Sequence, residues 1–101
     1  MGTVIFEYKD VKASERLEAF AEKKLNKIFD RYEFVIRADV FFKTENTSND
    51  ETGKKCGIRL SAPGPRLFSE SSKNTFEESV DVTVTELLRQ LEKRKQKMKT
   101  Y

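Results

Sequence analysis

Hydrophobic residues recur along this chain at two different spacings, and the change from one spacing to the other predicts the order of the elements. Val4, Phe6 and Tyr8 occupy alternate positions and predict a short strand with one apolar face. Ser14 is a good N-cap residue, and the apolar positions behind it recur at helical spacing, so a helix is predicted to run to about Phe29. Those helical positions are Leu17, Phe20, Ala21, Leu25 and Ile28.

Alternation with a period of two returns in the middle of the chain and predicts a hairpin. Residues 34–43 alternate throughout, and residues 55–62 do so again after a polar, turn-rich loop at 45–53. One face of the first segment carries Phe34, Ile36, Ala38, Val40 and Phe42. In the second segment Cys56 falls on the apolar face, where a buried, inert thiol is favoured over a reactive one.

The remaining residues predict one more strand and a long helix. Pro63-Gly64-Pro65 is a strong turn signal, and residues 66–71 form a short fourth strand. Asn74 or Thr75 caps a helix from Phe76 to Lys99, with Thr75 and Glu78 in the spacing of a capping box. The fold class is therefore α+β in the order β-α-β-β-β-α.

Short connections between strands favour a four-stranded, largely antiparallel sheet with both helices packed on one face and the other face open. This arrangement is similar to a double-stranded-RNA-binding domain. No repeat, low-complexity tract or linker interrupts the pattern, so one domain with a core from about Val4 to Met98 is expected, without a second dimerisation domain.

Composition narrows the possible functions. The 101 residues include no His and one Cys, which excludes His-based acid–base catalysis and zinc sites of several Cys or His ligands. No Gly-rich phosphate loop is present, so an enzyme is not expected, nor is a metal, a cofactor or a small-molecule substrate. No secretory signal or membrane span is evident, and a cytoplasmic protein, monomeric when free, is expected.

The net charge is only +3, so attraction to a polyanion must come from the distribution of charge. The last helix has four acids and no base between Glu77 and Glu86, but six bases and one acid between Arg89 and Lys99. Complementing the helix dipole would need only two or three bases at the end. Six bases repel one another, which favours a surface that faces RNA.

The first helix also separates its charges. At about 100° per residue, Arg16, Lys23 and Lys27 lie on one flank, with Lys24 and Arg31 edging toward the core. Three acids lie on the other flank, although a chance partition of so few charges remains an alternative. If both helices cover one face of the sheet, the two basic flanks line a shared groove. No exposed aromatic cluster accompanies these basic residues. This favours contacts with phosphates and recognition of RNA shape.

Three segments and the order of the elements together carry a resemblance to a known family. They are residues 22–28 (Glu-Lys-Lys-Leu-Asn-Lys-Ile), 38–40 (Ala-Asp-Val), 88–97 (Leu-Arg-Gln-Leu-Glu-Lys-Arg-Lys-Gln-Lys) and the β-α-β-β-β-α order itself. In these features the chain resembles the family of ribosome hibernation-promoting factors and ribosome-associated inhibitor A, also called the sigma-54 modulation family. The resemblance covers nearly the whole chain, and a short hibernation-promoting factor is the closest match.

The resemblance implies a bacterial protein that binds the small ribosomal subunit in the channel used by mRNA and tRNA, blocks translation and protects idle ribosomes. The residues that it places against rRNA are Lys23, Lys24, Lys27, Arg89, Lys93, Arg94, Lys95 and Lys97. One departure is that Glu77 stands where the family usually has a Tyr at the start of the last helix. Whether such a protein pairs ribosomes or only silences single ones does not follow from these residues.

Two other functions fit the pattern. A general binder of double-stranded RNA would hold free duplexes as well as it holds ribosomes. A protein-interaction module would use the open face of the sheet, with Val35, Phe41 and Phe68, and its binding would be insensitive to salt.

Overall fold

Six elements follow one another in the predicted order. The computed structural model describes residues 2–46 and 52–98. The elements are β1 (Thr3–Lys9), α1 (Glu15–Arg31), β2 (Arg37–Thr44), β3 (Lys54–Ser61), β4 (Leu67–Lys73) and α2 (Phe76–Met98). The predicted Lys99 and residues 47–51 of the predicted 45–53 loop lie outside the described residues, although Glu45 N–H still donates to Gly53 O at 2.8 Å.

The four strands form one sheet in the order β1-β2-β3-β4. β1 pairs with β2 in parallel through the α1 crossover, whereas β2–β3 and β3–β4 are antiparallel hairpin pairs. The prediction of an α+β fold with a largely antiparallel sheet is confirmed, and the sheet is mixed because the crossover helix separates the first two strands.

Both helices pack on one face of the sheet because the strands alternate. Even-numbered residues of β2 and β3 point into the core, where Phe42 and Ile58 are fully buried with Leu25 of α1 and Leu87 of α2. Cys56 belongs to this core, and burial raises the pKa of its thiol to about 12. The prediction of a buried thiol is confirmed.

The predicted helix caps are present. Leu17 N–H donates to the Ser14 hydroxyl at 3.2 Å, and Glu78 N–H donates to the Thr75 hydroxyl at 3.1 Å. The α2 end is also tied to the sheet, because the buried Ser79 hydroxyl donates to Lys54 O and accepts from Lys73 N–H. These contacts fix where each helix begins relative to the strands.

The start of β2 was predicted wrongly. The alternation of residues 34–43 put Ile36 in the core and Val35 on the open face, but Ile36 is 66% exposed and Val35 is 3% exposed. Val35 N–H donates to Tyr32 O at 3.0 Å, so a turn precedes the strand. That turn shifts the side-chain alternation by one position, and the strand begins at Arg37.

Candidate nucleic-acid interface

The two helices lie side by side and are joined by three ion pairs, which we call the seam. At each pair a base of α1 meets an acid of α2. The pairs are Arg16–Glu77 (2.7 Å), Lys24–Asp81 (3.2 Å) and Arg31–Glu92 (3.8 Å). Acids of α2 therefore face Arg16, Lys24 and Arg31 between the helices, where the sequence predicts a groove lined by bases of both helices.

Lys24 and Arg16 therefore hold the helices together in the free protein. Lys24 is half-buried, and its ammonium also lies 5.3 Å from the centroid of the Phe20 ring. Arg16 keeps most of its side chain in solvent, 81% exposed, so its pair with Glu77 is weak in free energy. Acids of α2 therefore pair with part of the basic flank that the sequence shows on α1.

Two bases of α2, Lys93 and Lys97, lie on the side of the helix away from α1. Gln90 donates to Phe68 O at 3.1 Å, so its side of the helix faces β4. Lys93 and Lys97 follow Gln90 at three and seven residues and share that edge. Both are exposed.

Arg94 has a structural partner rather than a free guanidinium. Its two terminal nitrogens donate to Pro63 O and Pro65 O, each at 2.8 Å. The guanidinium therefore clamps the turn between β3 and β4 onto α2. This contact explains why the Pro-Gly-Pro turn and the basic helix end lie together, and it makes Arg94 a poor candidate for phosphate binding.

Lys95 lies at the opposite edge of α2, where its ammonium is 5.9 Å from the centroid of the Tyr32 ring. The Tyr32 hydroxyl donates to Glu92 at 2.9 Å. This bond lowers the pKa of Glu92, helped by a second hydrogen bond from Gln96, while burial and the same bond raise the pKa of Tyr32. Lys95 is half-buried in this cluster.

Arg89 forms a surface pair within α2. Its guanidinium donates to both carboxylate oxygens of Glu86, at 2.7 and 3.0 Å. The bidentate bond lowers the pKa of Glu86 and raises that of Arg89. Both side chains remain open to solvent, so a phosphate can replace the carboxylate at little cost.

Lys23 and Lys27 lie one turn apart on the solvent side of α1. Both are exposed, and within the described residues neither forms an ion pair. With the exposed bases of α2 they make up a surface on the solvent side of the helix layer. We call it the outer helix surface, and its members are Lys23, Lys27, Arg89, Lys93 and Lys97.

The nine predicted bases thus divide into two groups. Five are exposed and form the outer helix surface, among them Arg89 in its pair with Glu86. The other four contact residues of other elements. Those four are Arg16, Lys24, Arg94 and Lys95. The helical wheel predicted that basic residues share one side of α1, but it did not predict which element lies next to that side.

Three exposed arginines on the opposite side of the molecule were not predicted. Arg37 and Arg59 lie at odd positions of β2 and β3, and Arg66 precedes β4. The alternation of each strand contained this signal, because the odd positions had to face away from the core.

Among residues 2–46 and 52–98, no group of three or more Cys, Asp or Glu side chains is placed to hold a metal ion. Neither helix in this part of the chain is long and apolar enough to cross a membrane.

Comparison with solved structures finds the same architecture in two other proteins. A ribosomal subunit interface protein from Coxiella burnetii is 22% identical, with a TM-score of 0.77 over 92% of this chain and 97% of its own. The N-terminal domain of Protein Y from Thermus thermophilus is 17% identical, with a TM-score of 0.71 over 92% and 98%. At these identities the likeness establishes the fold.

Comparison with curated protein sequences gave no significant match. The family model for "Sigma 54 modulation protein / S30EA ribosomal protein", however, matches residues 4–99, nearly the whole chain. The resemblance seen in the basic segments of both helices is thereby confirmed. The chain belongs to the sigma-54 modulation protein / S30EA ribosomal protein family.

Proposed function

We propose that this protein is a ribosome hibernation factor that binds rRNA of the small subunit through its outer helix surface and inhibits translation by occupying the mRNA and tRNA channel. The observation that carries the proposal is the set of five exposed bases on the solvent side of a family member's helix layer. Family membership supports association with the ribosome. The Coxiella burnetii relative is itself described as a ribosomal subunit interface protein.

The chemistry of the outer helix surface supports RNA with a fixed shape as the ligand. Four of its five members are lysines, which act as point charges toward phosphates and do not read bases. They project from two helices whose relative position is fixed by the seam, so the spacing of the charges is fixed as well. A folded rRNA surface that presents phosphates at matching positions would be preferred over an unstructured strand.

The proposed mechanism requires no catalytic group. Binding places the folded body where mRNA and tRNA would pass, and inhibition is steric exclusion. Because the energy comes from neutralising phosphates, the affinity must fall as salt rises. With five contacts, the affinity would fall by roughly several hundredfold between 50 and 200 mM salt, if counterion release on duplexes is a guide.

Co-sedimentation with vacant small subunits at increasing salt tests this proposal. The variants are Lys23→Glu/Lys27→Glu and Lys93→Glu/Lys97→Glu. The matched control is Lys9→Glu/Lys73→Glu, which makes the same change of charge at exposed sites outside the helices. We expect saturation near one copy per subunit, a loss of at least about tenfold in each helix variant, and little change in the control.

Excess duplex RNA, added as a competitor, separates ribosomal binding from general RNA binding. Binding that survives the competitor supports the proposal. If duplex RNA removes the protein from the subunits, the protein is a general binder of structured RNA. If neither helix variant binds more weakly than the control variant, the outer helix surface is not the site.

A further inference from the structure

The open face of the sheet carries a pair of stacked aromatic rings. Phe41 of β2 and Phe68 of β4 lie with their ring centroids 6.4 Å apart and their planes within 17°. Both side chains point away from the helices, because β2 and β4 alternate and their neighbours Val40 and Leu67 are buried in the core. Phe68 is 42% exposed.

Gly57 of β3 explains how the rings lie. It pairs with Phe41 in the register, and a β-carbon at position 57 would collide with the Phe41 ring. The Phe41 ring therefore lies across the bare backbone of β3, and the Phe68 ring lies nearly parallel to it. We call these two rings the aromatic platform. An aromatic ring laid flat on a sheet leaves its other face free to stack.

Arginines occur at one end of this platform. Arg59 lies directly opposite Phe68 in the register, and Arg37 and Arg66 lie beyond it. Arg37 is held by Asp39 at 2.8 Å. Within the described residues, neither Arg59 nor Arg66 forms a hydrogen bond or an ion pair, and both are exposed.

Three acids share this face with the arginines. Asp39 lies directly opposite Arg59 in the register, in the same row as Phe68, and it pairs with Arg37. Glu7 flanks Phe41 on β1, and Glu70 flanks Gly57 on β4, one row away from the arginines. Glu70 is paired with Lys55 at 3.1 Å. Three arginines against the single acid Asp39 leave that end of the face positive. The row of Phe41 carries Glu7 and the paired Glu70, so the two ends of the face differ in charge.

A shallow depression of about 370 Å³ joins the rings to the arginines. Proteins hold single-stranded nucleic acid with flat aromatic faces next to free guanidinium groups. The nucleotide bases stack on the aromatic rings, and the phosphates bind the guanidinium groups. A protein partner fits less well, because charged side chains border the two rings on several sides and leave no broad apolar centre.

We propose that the open sheet face is a second RNA site that binds single-stranded RNA. One or two bases stack on Phe41 and Phe68, and the adjoining phosphates bind Arg59 and Arg66. This site lies on the opposite side of the sheet from the outer helix surface, and its existence does not depend on the proposed ribosomal function.

The test is fluorescence anisotropy with the full chain and a labelled eight-nucleotide oligoadenylate at about 50 mM salt. Phe68→Ala should weaken binding about tenfold, the effect of losing one stacked base. Arg59→Gln/Arg66→Gln should lower the slope of log affinity against log salt by about 1.4, for two phosphates of a single strand. Lys23→Glu/Lys27→Glu is the control and should change the oligonucleotide affinity by less than about threefold.

An abasic oligonucleotide of the same length isolates stacking from charge. The wild type should bind it about tenfold more weakly than oligoadenylate, whereas Phe68→Ala should bind the two almost equally. Equal binding of both by the wild type would overturn the proposal, because the contacts would then be electrostatic only. A dimer that forms in sedimentation equilibrium and is lost in Phe68→Ala would also overturn it, since the rings would then serve a second copy.

The two proposals can fail separately. Phe68→Ala should still co-sediment with small subunits, and Lys23→Glu/Lys27→Glu should still bind the oligonucleotide. The Cys56 thiol, buried under the sheet, reports folding: slow reaction with a thiol reagent shows that a variant retains its core. A folded Phe68→Ala protein with wild-type oligonucleotide affinity would contradict the second site whatever the subunit assay shows.

Discussion

The two faces of this molecule are both cationic, but they carry different chemistry. The outer helix surface has five exposed bases, four of them lysines, and no aromatic ring among its members. The open sheet face has three arginines beside the stacked rings of Phe41 and Phe68. The comparison shows that net charge alone does not specify the form of RNA: fixed point charges suit folded phosphates, whereas rings with guanidinium groups suit unstacked bases.

The difference follows from how each element divides its side chains. An amphipathic helix places its apolar residues in the core and leaves long polar side chains outside. A strand places every second residue on the open face, so aromatic residues such as Phe41 can stay at the surface. Two packed helices can also pair their charges with each other, as they do at the seam. The basic side chains outside the seam are then the more accessible ones for a ligand.

The largest effect is expected from a substitution in the core, which destabilises the fold and with it both faces. Leu87 is fully buried between α2 and the sheet, and Leu87→Ala should lower the free energy of unfolding by about 2–5 kcal/mol. Urea unfolding measures this, and the Cys56 thiol should become reactive at lower urea. Val82→Ala, at an exposed position of the same helix, is the control and should change stability by less than about 0.5 kcal/mol. Equal effects would show that α2 does not support the sheet.

A second change tests how the Lys24–Asp81 pair of the seam affects affinity for small subunits. Asp81→Asn removes the carboxylate that holds Lys24, so affinity for small subunits should rise about threefold and the salt slope should steepen by about 1. Glu78→Gln removes the same charge from an exposed residue of α2 that makes no ion pair in the described part of the chain. Its effect should be smaller. A loss of affinity in Asp81→Asn would mean that Lys24, once released, adds no phosphate contact, and that its pair with Asp81 serves binding only by fixing the two helices.

The smallest effect concerns the contact between Tyr32 and Glu92 at the far end of the helix layer. The pKa of Glu92 is lowered below its ordinary value of 4.5, because the Tyr32 hydroxyl and then Gln96 donate to the carboxylate. The resulting stability is present above that ordinary value and is lost as the pH falls through the lower, folded value. Tyr32→Phe should therefore lower the melting temperature more at pH 7 than in acid.

Thermal unfolding at pH 7 and pH 3 measures that difference. The control is a Glu92→Gln background, in which Tyr32→Phe should have the same effect at both pH values. A larger destabilisation by Tyr32→Phe at pH 3 than at pH 7 would contradict the assignment of the hydrogen bond to the ionised carboxylate. Binding of oligonucleotide to the sheet face should be unaffected, which keeps the two faces distinct.

The periodic elements could be predicted from the sequence because their own residues determine them. The caps at Ser14 and Thr75, the alternation of β1 and the buried Cys56 all follow from local spacing and agree with the structure. The start of β2 could not, because the turn between Tyr32 and Val35 reverses the alternation through one backbone hydrogen bond. A pattern of apolar residues does not show such a bond.

The candidate sites depend on neighbours that are distant in sequence, and there the predictions were partial. The wheel placed Lys23 and Lys27 on one flank of α1 with Arg16, but it could not show that Asp81 faces Lys24 across the seam. The aromatic platform depends on the register that sets Phe41 over Gly57. Register and helix packing are properties of the assembled sheet.

The most direct test of the ribosomal claim is lysine footprinting of the protein on vacant small subunits. Acetylation rates at each lysine would be compared between the free and bound protein by mass spectrometry. We predict severalfold slower reaction at Lys23, Lys27 and Lys93, and unchanged reaction at Lys9 and Lys73, which are exposed outside the helices. Protection of Lys9 and Lys73 with unchanged helix lysines would place the ribosome on another face and contradict the proposal.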